Sequence, residues 1–600
     1  KWFDGGLSVP QLCTALQKAA LDPRVAGLAI EVGPLAVGYA KLQEIRRYLA
    51  YFRASGKFTI AYIKQAGEKE YYLATACEEV FAPPTASISL RGFVVGGTFL
   101  RGVLEKVGVE PQVQRIGAYK SAGDQLLRRT MAAEQREQLQ CILDDTYENF
   151  ITSVAASRGK TETQVRELLD GGIFDTQELL AGGWLNGLKY EDELMEDLKA
   201  RTDVPEDKPL KKVSLKKMLS VRPSTYPGLG GGRKRIVVLR TSGAILGKST
   251  GSGNITPDAL IPRLRALAKD KGVAGVVLRV DSPGGDALAS DLMWREVVRL
   301  NEKKPVIASM ADVAASGGYY IAMGARKIVC EPLTITGSIG VVTGKFNLAE
   351  LYDKIGYAKE LLSRGRYAEL SADQRPFSVE EKDLFTRAAQ HAYESFRDKA
   401  AASRGMEIAT MQRFAQGRVW TGKQALSIGL IDALGGVDKA IQMVKEAAGI
   451  PADDSVTITE MGRVSPSPLA LLRGGASAAM MAASQSSTQS VNMPALFGLL
   501  LAPLLSGGGS SSIGAGNLDA SAQLSSALAS TLGSGLALSL GREAAQAAVA
   551  ACAVGGMGSP FGLSYSADPE SLTVQAAGSL AALASSGAGQ GECSGLFSDE

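Results

Sequence analysis

The sequence predicts an α/β protein built from two tandem copies of one domain. Tyr71-Tyr72-Leu73-Ala74 recurs as Tyr319-Tyr320-Ile321-Ala322, an offset of 248. The same offset lays Asp22, Val25, Ala26 and Gly27 on Asp270, Val273, Ala274 and Gly275, and Gly117 and Tyr119 on Gly365 and Tyr367. Short β-branched runs alternate with helical segments throughout both copies, which argues for a parallel sheet with crossover connections.

Four segments follow from this reading. Residues 1–198 form the first repeat and 233–462 the second. Between them, 199–232 is a connection rich in Lys and Pro that ends in Gly230-Gly231-Gly232, and 463–600 is a tail of Ala, Ser and Gly. In the second repeat, 235–240, 275–280 and 305–310 are expected as strands, and 257–269 and 286–301 as helices. In the first, 134–154 sets Leu139, Ile142, Leu143, Tyr147, Phe150, Ile151 and Val154 on one helical stripe that needs a partner surface. Ala156-Ser157-Arg158-Gly159 returns as Ala402-Ser403-Arg404-Gly405 at an offset of 246, so the second copy has lost two residues after the position of Lys120. The connection reads as a solvated linker, with its lysines a weaker candidate for anionic lipid. The tail, poor in charge and periodicity, is expected to be largely disordered, with short helices only near 527–551.

Composition narrows the function classes. Apolar residues at 45% and charged residues at 21% are ordinary for a globular protein, and a net charge of +3 gives no reason to expect a nucleic-acid partner. Six scattered cysteines (Cys13, Cys77, Cys141, Cys330, Cys552, Cys593), without a CxxC pair or histidine cluster, suit neither a zinc site nor a disulfide framework. Buried, reduced thiols are expected. No metal, nucleotide or other cofactor is expected either, since there is no ligand cluster and no Walker-type loop. No run of about 20 apolar residues is present to span a bilayer, 494–505 being too short. The chain opens at Lys1 without a leader, which reads as a mature form or a fragment. The single histidine, His391, is expected as a partly buried residue of a helix. A Ser-His-Asp triad would depend on it alone, so a lysine is the better candidate base.

The two copies differ where chemistry would occur. Ala314-Ala315-Ser316-Gly317-Gly318 follows a strand and leads into a helix, and its small neighbours let a serine approach substrate. The first copy has Glu68, Lys69 and Glu70 in place of Ser316, Gly317 and Gly318, whereas its Lys120 falls on Ala368 of the second. One repeat thus keeps a candidate nucleophile and the other a candidate base. Asp281-Ser282-Pro283-Gly284-Gly285 lies between a strand and a helix, where glycines can aim N–H groups at a ligand. Thr336-Gly337-Ser338-Ile339-Gly340 adds a hydroxyl in a second glycine turn, and the first copy has Leu90 at the position of Ser338.

These elements, with Arg115-Ile-Gly-Ala-Tyr-Lys120-Ser-Ala, Gly417-Arg-Val-Trp-Thr-Gly422 and Gly429-Leu-Ile-Asp432, resemble the protease IV or signal peptide peptidase A family over roughly residues 10–460. That family comprises serine proteases of the ClpP/crotonase-like fold, and the duplication is similar to its long, two-domain form of Gram-negative bacteria and plastids. The resemblance implies Ser316 as nucleophile, Lys120 as general base and Ser338 as the residue that orients the lysine. It implies an oxyanion hole from the backbone N–H groups of Gly284 and Gly317. It also implies peptide substrates, namely leftover signal peptides or other hydrophobic polypeptides at membranes, together with a homotetramer at a membrane surface. The tail favours a chloroplast thylakoid location over a bacterial inner membrane, since such tails are common in green-algal proteins. Two alternatives stand beside this reading: a crotonase-type acyl-CoA enzyme, and a catalytically silent scaffold at a membrane.

Overall fold

In the computed structural model, which describes residues 7–226, 232, 234–248 and 253–462, each repeat is built on its own parallel sheet. The first sheet runs Gly27–Val32, Phe58–Ile63, Glu79–Ala82, Gly187–Leu188. The second runs Val419–Thr421, Ile335–Gly337, Val306–Ala315, Val273–Ser282, Arg235–Ser242, Thr457–Met461, with Lys327–Cys330 and Ala433–Leu434 branching from the third of these. Among the described residues of these two sheets, only Val419–Thr421 pairs antiparallel. Ile236, Val237, Val238 and Leu239 are all buried, because helices cover both faces of such a sheet. The expected fold class, tandem α/β repeats of the ClpP/crotonase-like kind, therefore holds.

The duplication extends to individual elements. Helices Val9–Leu21 and Tyr39–Ala54 return, 248 residues on, as Pro257–Lys269 and Ala287–Asn301. The long helix Ala133–Arg158 returns as Val379–Arg404 at the offset of 246, and each ends on a glycine with φ of +61° (Gly159, Gly405). On the first of these helices Phe150, Ile151 and Val154 enter the core, while Leu139, Ile142, Leu143 and Tyr147 are half-buried.

Part of the connection is docked on the first repeat. Helix Leu215–Ser220 lies against Val9–Leu21, and Lys18 Nζ donates to the carbonyls of Leu219 (2.7 Å) and Val221 (2.5 Å). Cys13, Cys77 and Cys330 are buried unpaired thiols and Cys141 is half-buried. The tail at 463–600, with Cys552 and Cys593, and Gly230-Gly231 lie outside the described residues.

The helix Tyr39–Ala54 of the first repeat packs across the second repeat's sheet and carries ion pairs into the seam. Arg279 Nη2 meets Glu44 Oε2 at 2.6 Å, the two side chains 6% and 1% exposed. Arg279 also donates to Ser309 Oγ, and Glu44 accepts from the Val437 amide. Removing one partner strands a buried charge, so Arg279→Met should destabilise the protein by about 3–5 kcal/mol. The double variant Arg279→Met/Glu44→Gln should recover part of that loss in thermal melts.

Candidate active site

Lys120 reaches the second repeat through an exchanged strand. Glu110–Ile116 of the first repeat pairs antiparallel with Val341–Asn347 of the second, from Ile116 opposite Val341 to Glu110 opposite Asn347. The loop that follows is pressed onto second-repeat backbone, and two glycines permit it. A Cβ on Gly417 (φ +75°) would stand 2.4 Å from Lys120 Cβ, and one on Gly117 (φ +112°) would stand 2.4 Å from the Gln416 carbonyl. The Tyr119 amide donates to that carbonyl at 2.9 Å.

The result places Lys120 Nζ 3.0 Å from Ser316 Oγ, 3.0 Å from Ser338 Oγ and 3.0 Å from the Ser338 carbonyl. Lys120 is 5% exposed, and among the described residues it has no carboxylate within ion-pair distance. Burial alone lowers its pKa to about 8, because the charged form loses its hydration.

Both serines sit on strained backbone. Ser316 has φ +52° and ψ −118° at the turn between Val306–Ala315 and the helix Gly317–Ala322, and Ser338 has φ +53°. Non-glycine residues in such regions cost on the order of 1–3 kcal/mol and persist only where neighbours hold them. Here the Ser316 amide donates to the Gly337 carbonyl (2.8 Å) and the Ser338 amide to the Arg418 carbonyl (2.7 Å).

Gly317 opens its helix, so its N–H has no intrahelical acceptor. Gly284 backs onto it: a Cβ there would lie 2.6 Å from the Gly317 nitrogen and 2.8 Å from Ser316 Cβ. The Gly284 N–H, however, donates to Ser282 Oγ at 3.1 Å. Of the two amides expected as donors, Gly317's is therefore unengaged and Gly284's is engaged by a serine two residues back, a local turn bond. Ser282 escaped sequence reading because a serine before Pro-Gly-Gly looks like ordinary turn chemistry.

The equivalent ground in the first repeat is filled by carboxylates. Glu68 Oε1 accepts from the Arg91 and Gly92 amides (2.8 and 3.1 Å), and Glu70 Oε1 accepts from the Leu35 amide (2.8 Å). Leu90 is buried. His391 is exposed rather than partly buried, since Ala389 and Tyr393 take the inner face of its helix. Among the described residues no helix is long and apolar enough to cross a membrane.

Comparison with known proteins agrees with this layout. The model of Peptidase family S49 matches residues 51–205, from the first repeat into the start of the connection, and 299–451 of the second repeat. The chain is 50% identical over 477 residues to the chloroplastic serine protease SPPA of Arabidopsis thaliana, covering 79% of this chain and 70% of that one. It is 28% identical over 456 residues to Protease 4 of Haemophilus influenzae (74% and 73% covered) and 29% identical over 454 to Protease 4 of Salmonella typhi (74% and 72%). A match of this extent, running through both repeats, settles the matter of kinship: the chain belongs to peptidase family S49.

Proposed function

We propose that the chain is a serine endopeptidase in which Ser316 attacks the scissile carbonyl and Lys120 is the general base. The observation that carries this reading is the 3.0 Å approach of a buried lysine, without a carboxylate partner among the described residues, to a serine on a strained turn, the two supplied by different repeats. The neutral Lys120 amine takes the Ser316 proton as Oγ bonds to the carbonyl carbon. Ser338 holds Nζ through its hydroxyl and its carbonyl, so the lone pair faces Ser316. The Gly317 amide donates to the developing oxyanion, and the Gly284 loop supplies the second donor once the Gly284 N–H leaves Ser282 Oγ. Lys120 then gives its proton to the departing amine. A water, deprotonated by the now neutral Lys120 amine, attacks the acyl-enzyme carbonyl, and Lys120 returns that proton to Ser316 Oγ as the ester bond breaks.

Labelling of Ser316 by a fluorophosphonate tests this directly. Its rate should rise with pH through about 8 and vanish in Ser316→Ala; no labelling at any pH would overturn the reading and favour a silent scaffold. Acyl-CoA turnover that survives Ser316→Ala would favour the crotonase-type alternative. Ser338→Ala, which leaves only a carbonyl to hold Nζ, should lower kcat/KM about tenfold or more without unfolding the protein.

Hydrophobic polypeptides and leftover signal peptides at a membrane surface are the proposed substrates. The relative of Arabidopsis thaliana supports a chloroplast setting, and the thylakoid is the proposed membrane. A homotetramer is proposed as the assembly. The exchanged pairing has a symmetric counterpart that one chain never makes: an offset of 248 carries Glu110–Ile116 to 358–364 and Val341–Asn347 to 93–99, and both segments lie outside any strand. Pairing 93–99 of one copy with 358–364 of the next would extend the same arrangement into a ring.

A further inference from the structure

Lys41 lies in the first repeat, yet its side chain ends between two carboxylates that flank the catalytic loops. Nζ meets Asp281 Oδ2 at 2.6 Å and Asp312 Oδ2 at 2.9 Å. Asp281 opens the glycine loop that leads to Gly284, and Asp312 stands four residues before Ser316. The two aspartates occupy a break in the sheet. Pairing between Val273–Ser282 and Val306–Ala315 shifts register between Met310 and Ala314, so the ladder is interrupted just before Ser316. A side chain bridges the strands there, Asp281 Oδ1 accepting from the Val313 amide (3.3 Å), while Asp312 caps the first turn of the helix Tyr39–Ala54 by accepting from the Gly38 and Lys41 amides (2.8 and 2.9 Å). Gly38 is required for this approach, since a Cβ on it would lie 2.6 Å from Asp312 Cγ.

We propose that Lys41 is a positioning residue for the reaction: by tying Asp281 to Asp312 across the bulge, it sets the glycine loop and the Ser316 turn in register with each other. The proposal rests on Ser316 being the nucleophile. Interface cement alone would be the plainer account, as Arg47 provides with Glu331 (2.7 Å) and Asp438 (2.9 Å). Two facts separate Lys41 from cement. Its carboxylates lie three residues before Gly284 and four before Ser316, whereas Glu331 lies seven before Ser338 and Asp438 is far from all three loops in sequence. Duplication has also not preserved the cluster elsewhere, since Lys41, Asp281 and Asp312 correspond by the offset of 248 to Ala289, Gly33 and Lys64. The clamp exists only beside the repeat that carries the serine. Bulges re-aim a side chain near a site, and misplacement by about 1 Å can cost a hundredfold in rate.

The test is steady-state kinetics on the full chain, well below its melting temperature, with Lys41→Met, Lys41→Arg, Asp281→Asn, Arg47→Met and Ser316→Ala. Lys41→Met and Asp281→Asn should lose about tenfold or more in kcat with KM within about twofold. Lys41→Arg, which keeps the charge, should recover most of the kcat lost in Lys41→Met. Arg47→Met should keep its kcat even where its melting temperature falls by as much. A wild-type kcat in Lys41→Met, or an equal loss in Arg47→Met, overturns the proposal. Should Lys41→Met not fold, Lys41→Arg and Asp281→Asn decide by the same measure: unchanged kcat in Asp281→Asn overturns it. Ser316→Ala keeps the two readings apart, because activity surviving there overturns the nucleophile itself. An inactive Ser316→Ala beside a fully active Lys41→Met overturns only the clamp.

Discussion

Lys120→Arg should be inactive, with kcat/KM lower by about a thousandfold or more, although it keeps the positive charge. A guanidinium does not deprotonate in a protein, so it has no lone pair for the Ser316 proton. Lys120→Met should be as inactive, and wild-type activity in either would refute the general-base role. The pH dependence of the wild type follows with a definite sign. On the proposed mechanism activity needs the neutral amine, so kcat/KM should rise with pH through about 8 and level off above it. Stability moves in the same direction. An unfolded lysine titrates near 10.4, above the folded value, so between about 8 and 10.4 the unfolded chain binds more protons and folding gains as pH rises. Below about 8 the full penalty of charging a buried amine is present. Lys120→Met escapes that penalty, so melts compared at pH 7 and pH 10 should show its advantage over the wild type shrinking as pH rises. An advantage that grows with pH would contradict burial as the cause.

Ser316→Ala and Ser316→Gly should both abolish peptide hydrolysis, again by about a thousandfold or more, but they should part company in stability. Alanine keeps a Cβ at φ +52° and inherits the strain of the turn. Glycine adopts that conformation without penalty, and it should raise stability by about 1 kcal/mol relative to alanine. Thermal melts of the two variants measure the strain held at Ser316. Equal melting temperatures would mean that the turn is relaxed, and residual hydrolysis in either would remove Ser316 from the mechanism.

Much of this was legible from residues alone, and the boundary is physical. The β-branched runs at 235–240 and 275–280 and the helix at 257–269 are local patterns, and they appear where periodicity puts them, the strands extended to 235–242 and 273–282. The complementary loss of Ser316 from one copy and Lys120 from the other was visible because duplication supplies an internal reference. What could not be read was geometry between distant segments. Nothing in the periodicity of Glu110–Ile116 says that it pairs with Val341–Asn347. The bond from the Gly284 amide to Ser282 Oγ and the seat of Lys41 between Asp281 and Asp312 depend on how a turn and a sheet break are closed. His391 lies outside because Ala389 and Tyr393 take the apolar face of its helix, a facing that depends on the partner surface and not on the local pattern alone.

The exchanged strand also carries a temporal consequence. Translation delivers the first repeat before the second, so a growing chain holds Lys120 long before Ser316 and Ser338 exist to receive it. The backbone against which the lysine loop is pressed, at Gln416 and Gly417, emerges later still. On the proposed pairing of Ser316 with Lys120, no product truncated ahead of Gly417 would have a seated base, and a released second repeat would have a serine without one. Latency during synthesis would then follow from chain order.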